Sequence, residues 1–121
     1  MSQRIGYTEE QQARTHLSAQ GLKWVASNYR CRWGEIDLIM REGTYLVFIE
    51  VRARTSLSFG GAAASVTYSK RQRLVKTAAH YLLTNKINET QPTRFDVLTL
   101  EGKPAKIEWI KMLLVWIFRK M

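Results

Sequence analysis

GEIDLIMREGTYLVFIEVR, residues 34–52, holds two apolar runs joined by a short polar turn, and acidic side chains interrupt both. The aliphatic and β-branched content of each run, with Glu42-Gly43 between them, predicts a β-hairpin. A two-residue loop at Glu42-Gly43 sets Arg41 opposite Thr44, Asp37 opposite Phe48 and Glu35 opposite Glu50. Directly opposed residues share a face of a sheet. Asp37 and Glu50 are then diagonal neighbours on one face, with Cα atoms about 7–8 Å apart. A slip of one residue would send them to opposite faces. Arg52, two residues beyond Glu50, points the same way as Glu50. Carboxylates in strands bound for a core are costly unless something satisfies them.

Around the hairpin the pattern predicts a single α/β domain. Residues 7–20 read as a helix, with Thr8 as N-cap, Gln11 completing a capping box and Gly21 closing the far end. Ala13 and Leu17 mark its inner face, and helical spacing puts Glu10 on or beside that face. Residues 22–31 read as a strand. A Gly-, Ser- and Ala-rich loop, RTSLSFGGAAAS, leads to a second helix over about 67–84, capped by Thr67 or Ser69. Its Leu74, Ala78, Tyr81 and Leu82 fall at helical spacing. Residues 94–100 read as a strand and 106–110 as an edge strand. The strands before and after the second helix are expected to be parallel, joined by a right-handed crossover.

The 121 residues suit one domain, and 45% hydrophobic content with two prolines can bury a core. The formal net charge of +9 points to a polyanionic partner, nucleic acid before an anionic membrane surface. Cys31 is the single cysteine, so neither an intramolecular disulfide nor a cysteine zinc site is available, which fits a reducing compartment. The start, MSQRIGYTEEQQ, has no apolar signal region, and a cytoplasmic location is expected. MLLVWIF, 112–118, is too short to cross a bilayer, which takes about 20 apolar residues. No integral membrane segment is expected.

Two or three carboxylates beside a cation are the chemistry of a hard-metal phosphodiester site. Mg²⁺ takes oxygen ligands from a few carboxylates and leaves its other positions to water and phosphate. Asp37 and Glu50 are the candidate ligands, with Glu10 approaching from the helix. The same residues also fit a structural reading, in which Asp37 caps a bend and Glu50 pairs with Arg52 or Arg54 at a strand end.

GEIDLIMREG, LVFIEVRAR, FGGAAASVTYSKRQRL and RFDVL, in that order, resemble the YraN-like family. That family is placed in the restriction-endonuclease-like superfamily, near the archaeal Holliday-junction resolvases. The resemblance runs from about residue 6 to 110. It implies a restriction-endonuclease-like core, a mixed central β-sheet flanked by α-helices. It implies a metal-dependent nuclease acting on branched DNA with Mg²⁺ or Mn²⁺. The superfamily pattern of a helix Glu, an Asp and Glu-x-Lys falls on Glu10, Asp37, Glu50 and Arg52. Arg52 departs from the superfamily's Lys; a guanidinium neutralises phosphate but does not act as a base.

SKRQRLVK, 69–76, sets Lys70, Arg73 and Lys76 in a stripe at helical spacing. Cations in a first turn oppose the helix dipole, a cost that a phosphate partner would offset. Arg54, Lys70, Arg71 and Arg73 are therefore expected to meet a nucleic-acid backbone; a solvated helix face is the plainer alternative. His16 and His80 are expected in surface or core roles, and Trp24, Trp33, Trp109 and Trp116 in the core or at an interface. Residues 1–111 form the expected endonuclease-like domain and 112–121 an apolar and basic tail that packs or sits at an interface, with a homodimer as one use of it. The expected function is metal-dependent cleavage of structured DNA. The alternatives are a nucleic-acid-binding module that does not cut, and a peripheral membrane or interaction protein.

Overall fold

The computed structural model of the chain describes residues 8–54 and 68–112. Among the described residues, seven elements run in the order α1 (Glu9–Ala19), β1 (Lys23–Cys31), β2 (Gly34–Glu42), β3 (Tyr45–Arg54), α2 (Tyr68–Thr84), β4 (Thr93–Glu101) and β5 (Lys106–Met112). The strands form one sheet in chain order. Only β3 and β4 run parallel, and the other neighbouring pairs are antiparallel. The architecture is α/β, a mixed sheet with two helices on it, and it is compatible with a restriction-endonuclease-like core.

α1 begins with the expected capping box: Gln11 N donates to Thr8 Oγ1 at 3.1 Å, and Thr8 N donates to Gln11 Oε1 at 3.0 Å. It ends with Leu22 N donating to Leu17 O and Gly21 N to Ser18 O, the paired bonds of a Schellman stop. Gly21, at φ +100°, supplies the left-handed residue that this stop needs. α2 starts at Tyr68, so Ser69 is inside the helix and not its cap, while Thr67 lies outside the described residues.

Two cores lie on opposite faces of the sheet. On one, Leu74, Ala78 and Leu82 of α2 pack with Ile36, Ile39, Phe48 and Phe95. On the other, Ala13 and Leu17 of α1 pack with Leu38, Met40, Val47, Ile49 and Leu98. β4 is buried throughout Thr93–Leu100.

The hairpin turn differs from expectation. Glu42 pairs with Tyr45 and Arg41 with Leu46, so the two loop residues are Gly43 and Thr44. Gly43 has φ +57°, and glycine suits the first loop position of a II′ turn. The register is therefore shifted by two from the expected one. A shift of two preserves the parity of the faces. The edge strand β5 runs to Met112, one residue past the expected domain boundary; the rest of the tail, with Trp116, lies outside the described residues. Trp24 is 43% exposed and not packed in the core. It sits on edge strand β1 beside a register shift between Trp24 and Ala26, and Arg14 stacks on its ring at 4.0 Å.

Candidate active site

The β2–β3 ladder reaches Leu38–Ile49, and the next residues along are Asp37 and Glu50. Ile36 and Ile39 share a core although they are three apart, so β2 changes face in the neighbourhood of Asp37. On β1, Asn28, with φ +54°, sits between the pairs Ser27–Leu38 and Tyr29–Ile36. The backbone here is irregular on both strands, and the irregularity frees the Asp37 carboxylate to turn toward β3. Val51 N donates to Asp37 Oδ2 at 2.8 Å.

Glu50 lies against Asp37. Burial pushes the Glu50 carboxyl up to about 7, and the neighbouring Asp37 charge adds to the rise. Arg52 opposes it, with Nη2 3.1 Å from Glu50 Oε2. Burial also raises Asp37; the Val51 amide pulls it back, while Glu35 and Glu10 push it up. The site thus crowds acids faster than it supplies cations. Arg52 Nε and Nη2 and Glu10 Oε2 are buried atoms without a hydrogen-bond partner. The Arg52–Glu50 contact is therefore a charge contact rather than a well-aligned hydrogen bond.

Asp37, Glu50 and Arg52 come together, though across an irregular stretch and not by the regular diagonal register expected of the hairpin, and Glu10 approaches closely enough to act on Asp37 electrostatically. Among the described residues, no group of three or more His, Cys, Asp and Glu side chains forms a ready-made metal cage. Lys70 and Arg73 share a cleft of about 120 Å³ with Gly34, Glu35, Glu50 and Thr77. Arg71 is exposed on α2, and Arg54 ends β3 with a side chain outside those described. Glu35 was not singled out by spacing. It pairs with Arg30 at 3.2 Å and raises both Asp37 and Glu50. The expected hairpin register, which set it opposite Glu50, was a signal that the candidate ligand set did not use.

A second polar group, absent from the sequence reading, lies elsewhere on the sheet. Arg94 grips Asp96 through Nε at 2.8 Å and Nη2 at 2.9 Å, and its Nη2 also reaches Glu42 at 2.7 Å. Trp109 Nε1 donates to Asp96 Oδ2 at 2.8 Å, and Lys111 Nζ approaches Glu42 at 3.3 Å. His80 meets the Tyr29 hydroxyl where α2 packs on β1, a core-edge role.

A family model described as "Uncharacterised protein family UPF0102" matches residues 9–100. A UPF0102 protein of Legionella pneumophila (strain Corby) is 51% identical over 111 residues, covering 92% of this chain and 94% of its own. One from Cupriavidus necator is 51% identical over 108 residues, covering 88% and 79%. One from Aeromonas hydrophila is 53% identical over 103 residues, covering 84% and 78%.

Proposed function

The chain belongs to the uncharacterised protein family UPF0102, and from that premise we propose that it is a divalent-metal-dependent endonuclease cutting phosphodiester bonds of structured, branched DNA. The observation that carries the reading is the crowded carboxylate pair. Asp37 and Glu50 are held together where burial raises both, with Asp37 adding to the rise of Glu50 and Glu35 and Glu10 to that of Asp37. The resemblance of residues 34–54 to YraN-like proteins adds the reaction class.

The donor set fits a hard divalent cation. Its atoms are carboxylate oxygens, and a cation would relieve their repulsion and give the buried Glu10 Oε2 a partner. Mg²⁺ is commonly held by one or two carboxylates, with water and substrate phosphate completing its shell, so a site without a three-acid cage suits it. Asp37 and Glu50 would hold Mg²⁺ or Mn²⁺, with Glu10 assisting. When bound, the ion supplies charge neutralisation at the phosphate and a more acidic water.

The chain's own residues orient and neutralise. The Val51 amide fixes the Asp37 carboxylate. Arg52 has buried donors without hydrogen-bond partners beside Glu50 and steadies the scissile phosphate. A guanidinium stays charged, so Arg52 takes no proton from the attacking water. Lys70 and Arg73, across the cleft from Glu50, hold the neighbouring backbone phosphate, and Arg71 extends the basic track.

One observation favours a second reading, a module that binds branched DNA without cutting it. Arg52 already lies against a Glu50 oxygen at 3.1 Å, where it competes with a metal. A cleavage screen over branched, flapped and linear DNA with Mg²⁺ or Mn²⁺ separates the two. Cutting that Asp37→Ala lowers by at least about a hundredfold supports the enzyme. Binding without cutting selects the module, and no binding overturns both.

A further inference from the structure

The basic cleft beside Glu50 has an aromatic rim that the phosphodiester chemistry leaves unused. β1 and β2 are joined by Arg32 and Trp33, between the paired residues Cys31 and Gly34. Trp33 is half-buried, not sealed in a core. Two cations lie over its ring: the Arg32 guanidinium at 4.6 Å and the Lys76 ammonium at 4.7 Å from the centroid. Both cations belong to exposed residues.

The backbone that carries the ring is anchored. Trp33 N donates to Cys31 Sγ at 3.4 Å. Gly34, which follows Trp33, is pressed against α2 so closely that a Cβ there would lie 3.3 Å from Thr77 Oγ1. Gly34 and Thr77 also line the cleft that holds Glu50, Lys70 and Arg73. The indole is thus tied to the wall of the candidate active site.

Geometry sets the scale. Lys70, Arg73 and Lys76 follow one stripe of α2. From Lys70 to Lys76 the helix rises about 9 Å. One strand of stacked, B-form DNA rises about 3.4 Å per nucleotide, so the stripe spans two to three nucleotides of a strand that stays stacked up to the base on the indole. Lys70 and Arg73 mark the end beside Glu50, and Lys76 with Trp33 marks the other. In duplex DNA the bases are already stacked, and their faces are not available to an indole. An unpaired base stacks on the indole once the exposed Arg32 and Lys76 side chains swing from over the ring onto its phosphates.

We infer that Trp33 stacks against an unpaired base two to three nucleotides from the scissile phosphodiester, so that the substrate is DNA with a single-stranded element next to the cut. The inference rests on the nuclease reading of the Asp37–Glu50 site. It makes Trp33 a specificity-determining residue and gives Arg32 and Lys76 the phosphates on either side of the stacked base.

The test is fluorescence anisotropy of the full chain, without divalent metal, on a labelled forked DNA and on a fully paired duplex of the same length. Trp33→Ala should weaken binding of the fork about tenfold and leave the duplex unchanged. Trp33→Phe, which keeps a stacking face, should retain most of the fork affinity. Abasic sites placed two and three nucleotides from the fork should weaken binding by the parent to the level of Trp33→Ala, and should add nothing to the Trp33→Ala loss. Equal losses on fork and duplex, or no loss on the fork, overturn the assignment and leave the nuclease reading standing. Failure of the parent to bind either DNA overturns both.

Discussion

The sheet carries two clusters of charge, and they are opposites in how well they are satisfied. In the Glu42–Arg94–Asp96–Lys111 cluster, two acids meet two bases, and Trp109 donates to Asp96 as well. Burial pushes the Glu42 carboxyl up, but hydrogen bonds from Arg94 and Lys111 outweigh it and hold Glu42 below its ordinary value. Desolvation alone would lower Arg94, yet its bonds to Asp96 and Glu42 raise it. In the Asp37–Glu50–Arg52 cluster burial wins. Both acids are raised, and buried atoms of Glu10 and Arg52 go without hydrogen-bond partners. A buried network that is fully paired rigidifies a fold. One left in conflict loses stability and is tolerated where a ligand resolves it.

The largest effect should come from breaking the satisfied cluster. Arg94→Met leaves Asp96, whose side chain is 0% exposed, as a buried acid that keeps the Trp109 hydrogen bond but has lost its counter-charge. Removing one partner of such a pair costs about 3–5 kcal/mol. Urea unfolding should show a loss of that size, and a loss under about 1 kcal/mol would mean that the two clusters do not differ in the way described. Next in size is Arg52. In the proposed nuclease, Arg52→Ala should slow DNA cleavage about a hundredfold, whereas Arg52→Lys should preserve or raise the rate. Unchanged cutting by the alanine variant removes Arg52 from the site's chemistry.

The smallest effects should appear in the unsatisfied cluster, and with the opposite sign. Glu50→Gln removes a repelling charge and should raise stability near pH 8 by up to about 1 kcal/mol, even as cleavage is lost. Glu50 keeps its proton in the folded chain up to about pH 7 but loses it near 4.5 when unfolded. Between those values the unfolded state binds fewer protons, so this stabilising contribution is complete below 4.5 and is lost as pH rises through about 7. The urea midpoint of the parent should fall across that window, and Glu50→Gln should flatten the fall. Mg²⁺ added at pH 8 should raise the parent's midpoint and leave Asp37→Ala unmoved. A parent whose midpoint ignores both pH and Mg²⁺ would have no conflict at Glu50 for a cation to relieve.

One side of this contrast was legible in the sequence, and the illegible side has physical causes. Period-two alternation put Asp37 and Glu50 on one face before their exact register was known, but β2 changes face near Asp37, so their meeting also depends on a backbone irregularity that no alternation pattern encodes. The register was off by two because Gly43 takes the first loop position, where its positive φ is used, and not the second. The capping box of α1 was legible because its partners are three residues apart. Arg94 and Asp96 were not, because their charges alternate along RFDVL as they would on a solvent-facing strand. What buries them involves distant residues, Glu42 and Trp109. Lys70 and Arg73 were expected to meet phosphate from their spacing on α2. Their position across a cleft from Glu50 depends on how α2 crosses the sheet, which no local pattern encodes.

Strand order that follows chain order also sets a timetable for folding. β1, β2 and β3 pair through two short turns, whereas β3 and β4 pair only after the whole stretch from 55 to 92 has been brought round. Closing that loop has an entropic cost before any contact across it is gained. The three-stranded meander, with Asp37, Glu50 and Arg52, is therefore expected early. The contacts of Arg94 with Glu42 bridge the meander to β4 and are expected late. In a chevron experiment Arg94→Met should then speed unfolding and leave the folding rate nearly unchanged. The ionic cluster that serves the fold acts as a latch, closed after the residues proposed to serve the chemistry are already in place.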